Sequence, residues 1–372
     1  METFSVPTKI FSGVDSLNQL STISKEKIFM VCDAFLPNTP TLKEITGKVN
    51  GSNEVSIFSD VKPNPPLPNI IEGVKQYIGV KPTVIVAIGG GSAIDTAKAI
   101  RFFGEKILGE EVKCFFAIPT TSGTGSEVTN TSVISDPEAG RKFPILDDHL
   151  TPDYALLDPK LVMTAPKSVS AYSGLDVMTH GLESLVARDA NVITEALSEK
   201  AIDVIAHHLV GCVNDGTDVH ERQIVHEASC AAGLAFNNAG LGICHSIAHQ
   251  LGAEFHVPHG LACAILLPYV VSYNASKSPE ALKKYAGVAR KTGLAAHGMG
   301  DKIAVHHLTN YIKQMMREMH CPASLTAFGV DPSEADKKCA TIVANAKKDA
   351  TFPGNPVVPT DEDLAAIYQD AI

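Results

Sequence analysis

One carboxylate and a group of histidines in the second half of the chain have spacings that suit a metal ion. Asp176 and His180 are four residues apart, and so are His245 and His249. On a helix, residues at this spacing leave the same face one turn apart. His259 follows in a Pro-His-Gly segment. This mixed oxygen and nitrogen donor set suits a divalent first-row metal such as Fe²⁺ or Zn²⁺.

The expected division of roles within this cluster follows from the same spacing. Ligation is assigned to one carboxylate and three imidazoles: Asp176, His180, His245 and His259. A coordination position left open would let the ion act as a Lewis acid on a carbonyl oxygen. His249 lies one helical turn after His245, and we therefore predict that it relays a proton or contacts a cofactor rather than binding the metal.

Three consecutive glycines, Gly89, Gly90 and Gly91, lie between an apolar run and a helical pattern that begins with Ser92 and Asp95. A strand that passes directly into a helix N-terminus presents backbone N–H groups to phosphate. Glycine lets a pyrophosphate approach the backbone and permits a positive φ. The alternative is a tight turn without a ligand, because the spacing is not that of the usual G-x-G-x-x-G fingerprint.

Two more polar features follow predicted strands. Asp33 comes directly after the apolar run 28–32, and the segment 119–127, rich in Thr, Ser and Gly, follows the run 115–118. Open α/β sheets bind ligands at the carboxyl ends of their strands, where a carboxylate can accept hydrogen bonds from a ribose diol. A surface turn explains Asp33 alone equally well. As a ribose ligand, Asp33 would favour NAD(H), because a carboxylate repels the 2′-phosphate of NADP(H).

The elements that position these residues change type along the chain. Short apolar runs at 28–32, 55–58, 84–88 and 115–118 alternate with helical patterns, which predicts a parallel sheet covered by helices on both faces. After about residue 165 only helical patterns follow, at 168–188, 194–209, 220–236, 240–252, 279–292 and 301–317, with a last short helix after residue 359. We therefore predict an α/β domain at 1–163 and an all-helical, metal-binding domain at 164–372.

Bulk properties agree with a soluble two-domain enzyme. A chain of 372 residues exceeds the roughly 250 to 300 at which single cores stop growing. The net charge of −10 and the absence of a basic run argue against nucleic acid as a partner. Neither a secretory signal nor an apolar stretch of about 18 residues is present, so no membrane is expected. The 8 cysteines form no C-x-x-C pair, which favours the cytoplasm, with the cysteines as small buried residues.

Taken together, these motifs resemble the iron-containing alcohol dehydrogenase family over essentially the whole chain. The resemblance implies a Rossmann-like N-terminal domain and a helical C-terminal domain of the dehydroquinate synthase-like superfamily, with the active site in the cleft between them. It implies NAD(H) and Fe²⁺ as cofactors, with Zn²⁺ as an alternative ion. It also implies cofactor contacts from residues at the sheet edge and the following hairpin: Asp33, Asn64, Gly90, Gly91, Ser92, Thr120, Thr121, Thr129 and Lys142.

Within this family, the chain looks most like the propanol dehydrogenases of bacterial microcompartments. That likeness implies a homodimer or larger homo-oligomer that interconverts propionaldehyde and 1-propanol, with other microcompartment enzymes as neighbours. Lactaldehyde, butanol, 1,3-propanediol and ethanol dehydrogenases share the same motifs and remain alternatives.

Two more distant alternatives share part of this pattern. A lyase that resembles dehydroquinate synthase would share the glycine loop but would need clustered basic residues for a phosphorylated acid, and few are present. A non-catalytic scaffold subunit of a microcompartment would not need a relay histidine beside a full ligand set.

Overall fold

The computed structural model describes residues 3–137 and 141–372, and the side chains of residues 141 and 142 lie outside the description. It divides into two compact units. One contains Val6–Ala165 and Thr217–Gly233, and the other contains Pro166–Gly216, Leu234–Ile372 and the N-terminal residues through Ser5. The boundary at 163 and 164 stays a prediction. The division by contacts assigns 217–233 to the first unit although this segment is helical.

The first unit is built on a six-stranded parallel sheet with the strand order β1-β8-β5-β4-β2-β3. Its strands are β1 (Lys9–Ser12), β2 (Lys27–Asp33), β3 (Glu54–Val61), β4 (Val84–Gly89), β5 (Cys114–Pro119) and β8 (Tyr154–Leu157). Its helices are α1 (Pro40–Lys48), α2 (Leu67–Val80), α3 (Gly91–Leu108) and α4 (Pro159–Val162). The predicted parallel sheet and its four predicted strands are confirmed.

Continuous apolar runs form the inner strands because both faces of the sheet are covered. Phe29 and Ile85 point to one hydrophobic core, which includes Tyr77 of α2 and Ile100 of α3. Their neighbours Ile28, Met30, Val84 and Val86 point to a second core on the other face, together with Leu20 and Ile45. Alternate residues of one strand therefore enter different cores, and a period-two polarity pattern does not arise.

Four strands were not anticipated from the sequence. Edge strand β1 and its neighbour β8 have four residues each, too few for a clear pattern. β6 (Thr131–Asp136) and β7 (Arg141–Leu146) form a separate antiparallel hairpin outside the parallel sheet. The hairpin follows the polar segment 119–127 and therefore adds an element beside the predicted cofactor-binding edge.

The second unit contains only helices among its described residues. They are α5 (Lys167–Val186), α6 (Val192–Asn214), the end of α7 (Val219–Ala239), α8 (Ile243–Phe255), α9 (His259–Lys277), α10 (Pro279–Lys291), α11 (Asp301–Glu318), α12 (Leu325–Phe328), α13 (Pro332–Ala346) and α14 (Asp361–Asp370). The predicted helical half is confirmed. Helix α9 had no prediction, because it contains Pro268 and is apolar on nearly every side, so it lacks an amphipathic period. None of the helices in the described part of the chain has the length and hydropathy needed to span a bilayer.

Candidate functional site

Three helices of the second unit bring the predicted metal ligands together. Helix α5 supplies Asp176 and His180, α8 supplies His245, and His259 is the first residue of α9. The Nε2 atoms of these three histidines lie 3.9, 3.5 and 3.6 Å, respectively, from Asp176 Oδ1. An ion bonded at about 2.1 Å to each atom separates neighbouring ligand atoms by roughly 3.0 to 3.6 Å. The distances from His245 and His259 fall within this range, and that from His180 is 3.9 Å and slightly longer. The cluster therefore has nearly the dimensions of a metal site, and the ligand roles stay predictions.

Buried polar atoms within this cluster supply an independent test of whether a cation fits. Asp176 Oδ1 and His245 Nε2 are buried, and neither has a hydrogen-bond partner among the described residues. An unpaired buried carboxylate oxygen or ring nitrogen is costly, and a bound cation removes the cost for both. The donors present therefore fit a divalent ion such as Fe²⁺.

Asp176 is held in its anionic form. Burial alone would raise the pKa of its carboxyl, but the interactions with the surrounding histidines, of which that with His180 is the largest, outweigh burial and hold that pKa well below its usual range. An ionised carboxylate is the form that binds a metal. The His259 side chain is 39% exposed, whereas that of His245 is 2% exposed, so His259 is the member of the cluster most accessible to solvent.

Glu183 orients His245 and was missed by the sequence reasoning. Its Oε2 lies 2.5 Å from His245 Nδ1, and its Oε1 accepts a hydrogen bond of 2.7 Å from the Cys244 backbone N–H. With the Nδ1 proton donated to the carboxylate, His245 Nε2 keeps its lone pair for a metal. The spacing of Asp176, His180 and Glu183, at i, i+4 and i+7, places all three on one helical face and was a usable signal.

Gly260 allows helix α9 to approach α5 closely. A Cβ atom at this position would lie 2.1 Å from the Tyr172 carbonyl oxygen and 3.2 Å from Asp176 Cβ. Any side chain here would push α9 away from α5 and would move His259 away from Asp176. The glycine after His259 thus has a packing reason.

His249, the predicted relay, is paired with a carboxylate that the sequence did not reveal. His249 Nδ1 lies 2.8 Å from Asp349 Oδ2, and Asp349 Oδ1 accepts hydrogen bonds from the backbone and hydroxyl of Thr351. Burial would raise the pKa of Asp349, but the interactions with His249 and Thr351 together outweigh burial and lower that pKa. The His249 and His259 rings stack with centroids 5.3 Å apart. His249 Nε2 is therefore the atom that can exchange a proton beside the ligand cluster.

In the first unit, the glycine loop joins β4 to α3 as predicted. Gly89 has φ of +148°, and a Cβ there would meet Asp33 Oδ2 at 2.4 Å. A Cβ on Gly91 would meet Thr124 Cγ2 at 2.7 Å. Within the described residues, α3 has no side-chain N-cap. No described side chain therefore caps the first N–H groups of α3, and the glycines leave space for a phosphate to approach them.

Asp33 and the segment after β5 lie next to this loop. Asp33 Oδ2 accepts a hydrogen bond of 3.4 Å from the Gly90 backbone N–H, and burial raises the pKa of its carboxyl while that hydrogen bond opposes the rise. The Thr120 N–H donates to the Gly89 carbonyl at 3.0 Å, and the Thr121 hydroxyl lies beside Gly90. The carboxyl ends of β2, β4 and β5 therefore bring together five of the residues predicted to bind the cofactor: Asp33, Gly89, Gly90, Thr120 and Thr121.

Asp95 and Thr129 are predicted contacts whose polar atoms already bind within the protein. Asp95 accepts hydrogen bonds from the Ser126 hydroxyl at 2.6 Å and the Val133 N–H at 3.1 Å. The buried Lys98 Nζ donates to the Thr129 carbonyl at 2.7 Å and its hydroxyl at 3.0 Å. Burial lowers the pKa of Lys98 to about 8, against the opposing charges of Asp95 and Glu127. These side chains anchor the segment that follows the predicted cofactor loop to helix α3.

Three further residues, Asn64, Ser92 and Lys142, are also predicted to contact the cofactor. The Asn64 carbonyl accepts a hydrogen bond of 2.6 Å from the Ser135 hydroxyl of β6, and Ser92 is in the first turn of α3. The side chain of Lys142 lies outside the described residues. Cofactor contact by any of these residues stays a prediction.

Comparison with known proteins places the whole chain in one family. The family model described as "Iron-containing alcohol dehydrogenase" matches residues 7–159, and "Fe-containing alcohol dehydrogenase family, C-terminal" matches residues 170–372. A 1-propanol dehydrogenase of Citrobacter freundii is 40% identical over all of both chains, and an NADPH-dependent butanol dehydrogenase of Clostridium saccharobutylicum is 34% identical over 99% of this chain and 97% of its own. The solved structure of an alcohol dehydrogenase from Oenococcus oeni has a TM-score of 0.92 and 30% identity, with both chains fully covered.

Fold, metal cluster and sequence likeness together define the class of protein. The chain belongs to the iron-containing alcohol dehydrogenase family, and it is an iron-dependent alcohol dehydrogenase. Its cofactors are Fe²⁺ and NAD(H), as predicted. The alternatives of a lyase and of a non-catalytic subunit are thereby set aside.

Proposed function

We propose that this enzyme interconverts short-chain aldehydes and primary alcohols, with propionaldehyde and 1-propanol as the pair it handles best. The observation that carries the proposal is the identity of 40% to a 1-propanol dehydrogenase, without a gap in coverage at either end of the two chains. A second 1-propanol dehydrogenase, of Salmonella typhimurium, is 38% identical over the same full length.

The residues have distinct parts in the proposed mechanism. Asp176, His180, His245 and His259 hold the metal, and Glu183 keeps His245 Nε2 available to it. Backbone N–H groups of Gly91 and Ser92 in the first turn of α3 bind the dinucleotide pyrophosphate, because the N–H of Gly90 already donates to Asp33. Bound iron supplies a Lewis acid for the substrate oxygen, and NADH supplies the hydride.

Proton transfer is assigned to His249. Reduction of an aldehyde requires one proton at the substrate oxygen in addition to the hydride. His249 Nε2 delivers it, because Nδ1 is engaged with Asp349. During alcohol oxidation the same nitrogen accepts the proton.

The test is steady-state kinetics of enzyme purified without oxygen and loaded with Fe²⁺. NADH oxidation is measured with acetaldehyde, propionaldehyde, butyraldehyde, lactaldehyde and 3-hydroxypropionaldehyde, and kcat/KM is compared. We expect the highest kcat/KM with propionaldehyde. A value at least about tenfold higher for another aldehyde, or about 1.4 kcal/mol in transition-state binding, contradicts the substrate assignment but not the reaction class.

Butanol dehydrogenase is the second candidate, because the butanol dehydrogenase relative covers nearly the whole chain at 34% identity. One added methylene in an apolar pocket changes transition-state binding by only about 1 to 3 kcal/mol, so the two aldehydes should be used within roughly 10- to 200-fold of each other. The same kinetic panel separates the two candidates.

The cellular setting is also a proposal. The likeness to microcompartment propanol dehydrogenases favours a cytoplasmic homo-oligomer, a dimer or larger, enclosed in a microcompartment with other enzymes. Light scattering after gel filtration would measure the molar mass in solution, and the mass of a monomer would contradict the proposed oligomer. Cosedimentation of the tagged chain with purified shells would test enclosure, and recovery only in the soluble fraction would contradict it.

A further inference from the structure

A thiol lies among the predicted metal ligands. Cys263 is fully buried on α9, one helical turn after His259. One ligand atom each from Asp176, His245, His259 and Cys263 forms a group in which all atoms lie within 4.8 Å of one another. The sequence reasoning treated this cysteine only as a small apolar residue.

The sulfur is at a distance compatible with sharing an ion. Cys263 Sγ lies 3.9 Å from His259 Nε2. Neighbouring nitrogen and sulfur ligands of one ion, bonded at about 2.1 and 2.3 Å, lie roughly 3.1 Å apart at an angle of about 90° and roughly 3.6 Å apart at a tetrahedral angle. A small side-chain rotation closes this difference. The thiol is therefore within reach of an ion that His259 binds.

A purely structural role for the thiol would use a different contact. At 3.9 Å, an S–H group could donate a weak hydrogen bond to His259 Nε2, and it would then compete with the metal for that lone pair. Such a bond leaves Asp176 Oδ1 and His245 Nε2 as they are, buried and without a hydrogen-bond partner among the described residues. A cation that bonds to all these atoms satisfies each of them at once.

A second buried cysteine close by makes a different contact. Cys244 Sγ lies 3.4 Å from the Cys263 carbonyl oxygen and donates to it. The group of clustered ligand atoms contains the sulfur of Cys263 and not that of Cys244. Both cysteines therefore lie close to the site, but of the two only Cys263 has its sulfur among the clustered ligand atoms.

We propose that Cys263 Sγ is an additional donor of the metal site, which turns an oxygen and nitrogen set into an oxygen, nitrogen and sulfur set. As the metal–sulfur bond forms, the thiol proton passes to solvent, and no oxidant or reductant takes part. Thiolate prefers Zn²⁺ and similar ions over harder ions such as Mn²⁺. Cys263 therefore biases the site towards thiophilic ions, including Zn²⁺ in competition with Fe²⁺. This inference rests on the metal site assigned above.

Cobalt serves as the spectroscopic probe of sulfur ligation. Full-length protein is stripped of metal without oxygen and titrated with Co²⁺, and its near-ultraviolet spectrum is recorded. We expect a sulfur-to-cobalt charge-transfer band that saturates at one ion per chain. The band should vanish in Cys263→Ser and persist in Cys244→Ser, the matched control. Thermal unfolding and NADH binding confirm that each variant is folded.

Metal competition supplies a second readout that does not depend on activity. Cys263→Ser should lower the affinity for Zn²⁺ by at least about tenfold and change that for Mn²⁺ by less than about threefold. Stoichiometric cobalt without the band in the unmodified protein, or an unchanged ratio of zinc to manganese affinity, overturns the sulfur ligand and leaves the metal site intact. Failure to bind one Co²⁺ overturns the metal site and this proposal together.

Discussion

The glycine loop in the first unit and the histidine cluster in the second are built on opposite principles. Around the glycine loop, the polar side chains of Asp95, Lys98 and Thr129 form hydrogen bonds within the protein, and backbone N–H groups are what remains for a ligand. In the cluster, the side chains themselves are the ligand atoms, and Asp176 Oδ1 and His245 Nε2 are left without hydrogen-bond partners among the described residues.

This difference follows from the size and charge of the ligands. A pyrophosphate is large, and several N–H dipoles can share its charge. A metal ion is small, so that a few side-chain atoms must converge within about 4 Å while nothing else binds them. The cluster therefore contains buried polar atoms whose desolvation is compensated only when the ion binds, whereas the polar side chains around the loop are compensated by hydrogen bonds formed on folding. Variants of the two regions should accordingly affect different observables.

The largest effect should come from loss of one ligand of the cluster. His259→Ala removes a donor that lies 3.6 Å from Asp176 Oδ1 and leaves the remaining donors to hold the ion. We expect metal affinity to fall by more than about 100-fold and nearly all activity to disappear. Metal analysis and NADH oxidation measure the two effects. The exposed His207→Ala is the control, and a metal-replete, active His259→Ala enzyme would falsify the ligand assignment.

The relay should separate turnover from metal binding within the same region. His249→Ala should keep the metal and lower kcat by roughly 10- to 10⁴-fold, with an altered pH profile. Asp349→Asn keeps the side-chain size but removes the charge beside His249 Nδ1. This variant should also lower kcat, but by a smaller factor than His249→Ala. Loss of metal from His249→Ala would show that His249 is a metal ligand and that its assignment as the relay is wrong. Retained metal with unchanged kcat would remove the relay role.

In the first unit, a buried histidine should make folding depend on pH. His226 is 1% exposed, its Nδ1 lies 2.9 Å from the Ser122 hydroxyl, and burial lowers its pKa from 6.5 to about 4. Between these pH values the unfolded chain binds a proton that the folded chain does not. The contribution of His226 to stability should therefore fall with acidification by about 1.4 kcal/mol per pH unit, or roughly 3 kcal/mol in all.

Denaturant unfolding of the metal-free protein from pH 4 to 7 tests this slope. His226→Gln should flatten it, whereas Ser122→Ala, which keeps the imidazole, should retain it. Glu127 contributes the opposite slope, because burial raises its folded pKa to about 7 from 4.5. The difference between variant and unmodified protein removes that contribution. If the free energy of unfolding of His226→Gln and of the unmodified protein changed in parallel with pH, His226 would be charged or accessible in the folded state.

The smallest expected effect concerns the choice of dinucleotide. Asp33 lies beside Gly90 at the sheet edge, where its carboxylate would accept a hydrogen bond from the adenosine ribose and repel a 2′-phosphate. Asp33→Gly should raise kcat/KM with NADPH by at least about tenfold, or 1.4 kcal/mol, and weaken the use of NADH. Steady-state kinetics with both cofactors measure the change. Equal use of NADPH and NADH by the unmodified enzyme would reduce Asp33 to a turn residue.

Local patterns in the sequence were sufficient for much of the architecture and for the candidate ligands. Buried parallel strands such as β4 appear as unbroken apolar runs, and the pairs Asp176–His180 and His245–His249 reveal themselves through helical spacing. Glycines between a strand and a helix indicate a phosphate loop by the same short-range logic. Each of these signals depends on residues within about one or two turns of one another.

Only the tertiary structure showed which distant residues complete the sites. Asp349 reaches His249 across 100 positions of sequence, and Glu183 reaches His245 across 62. Cys263 became a candidate ligand because α9, an apolar helix without amphipathic period, packs against α5 at Gly260. A local pattern records which face of a helix is buried. It does not record which other helix that face will meet, because the meeting is decided by the packing of the whole core.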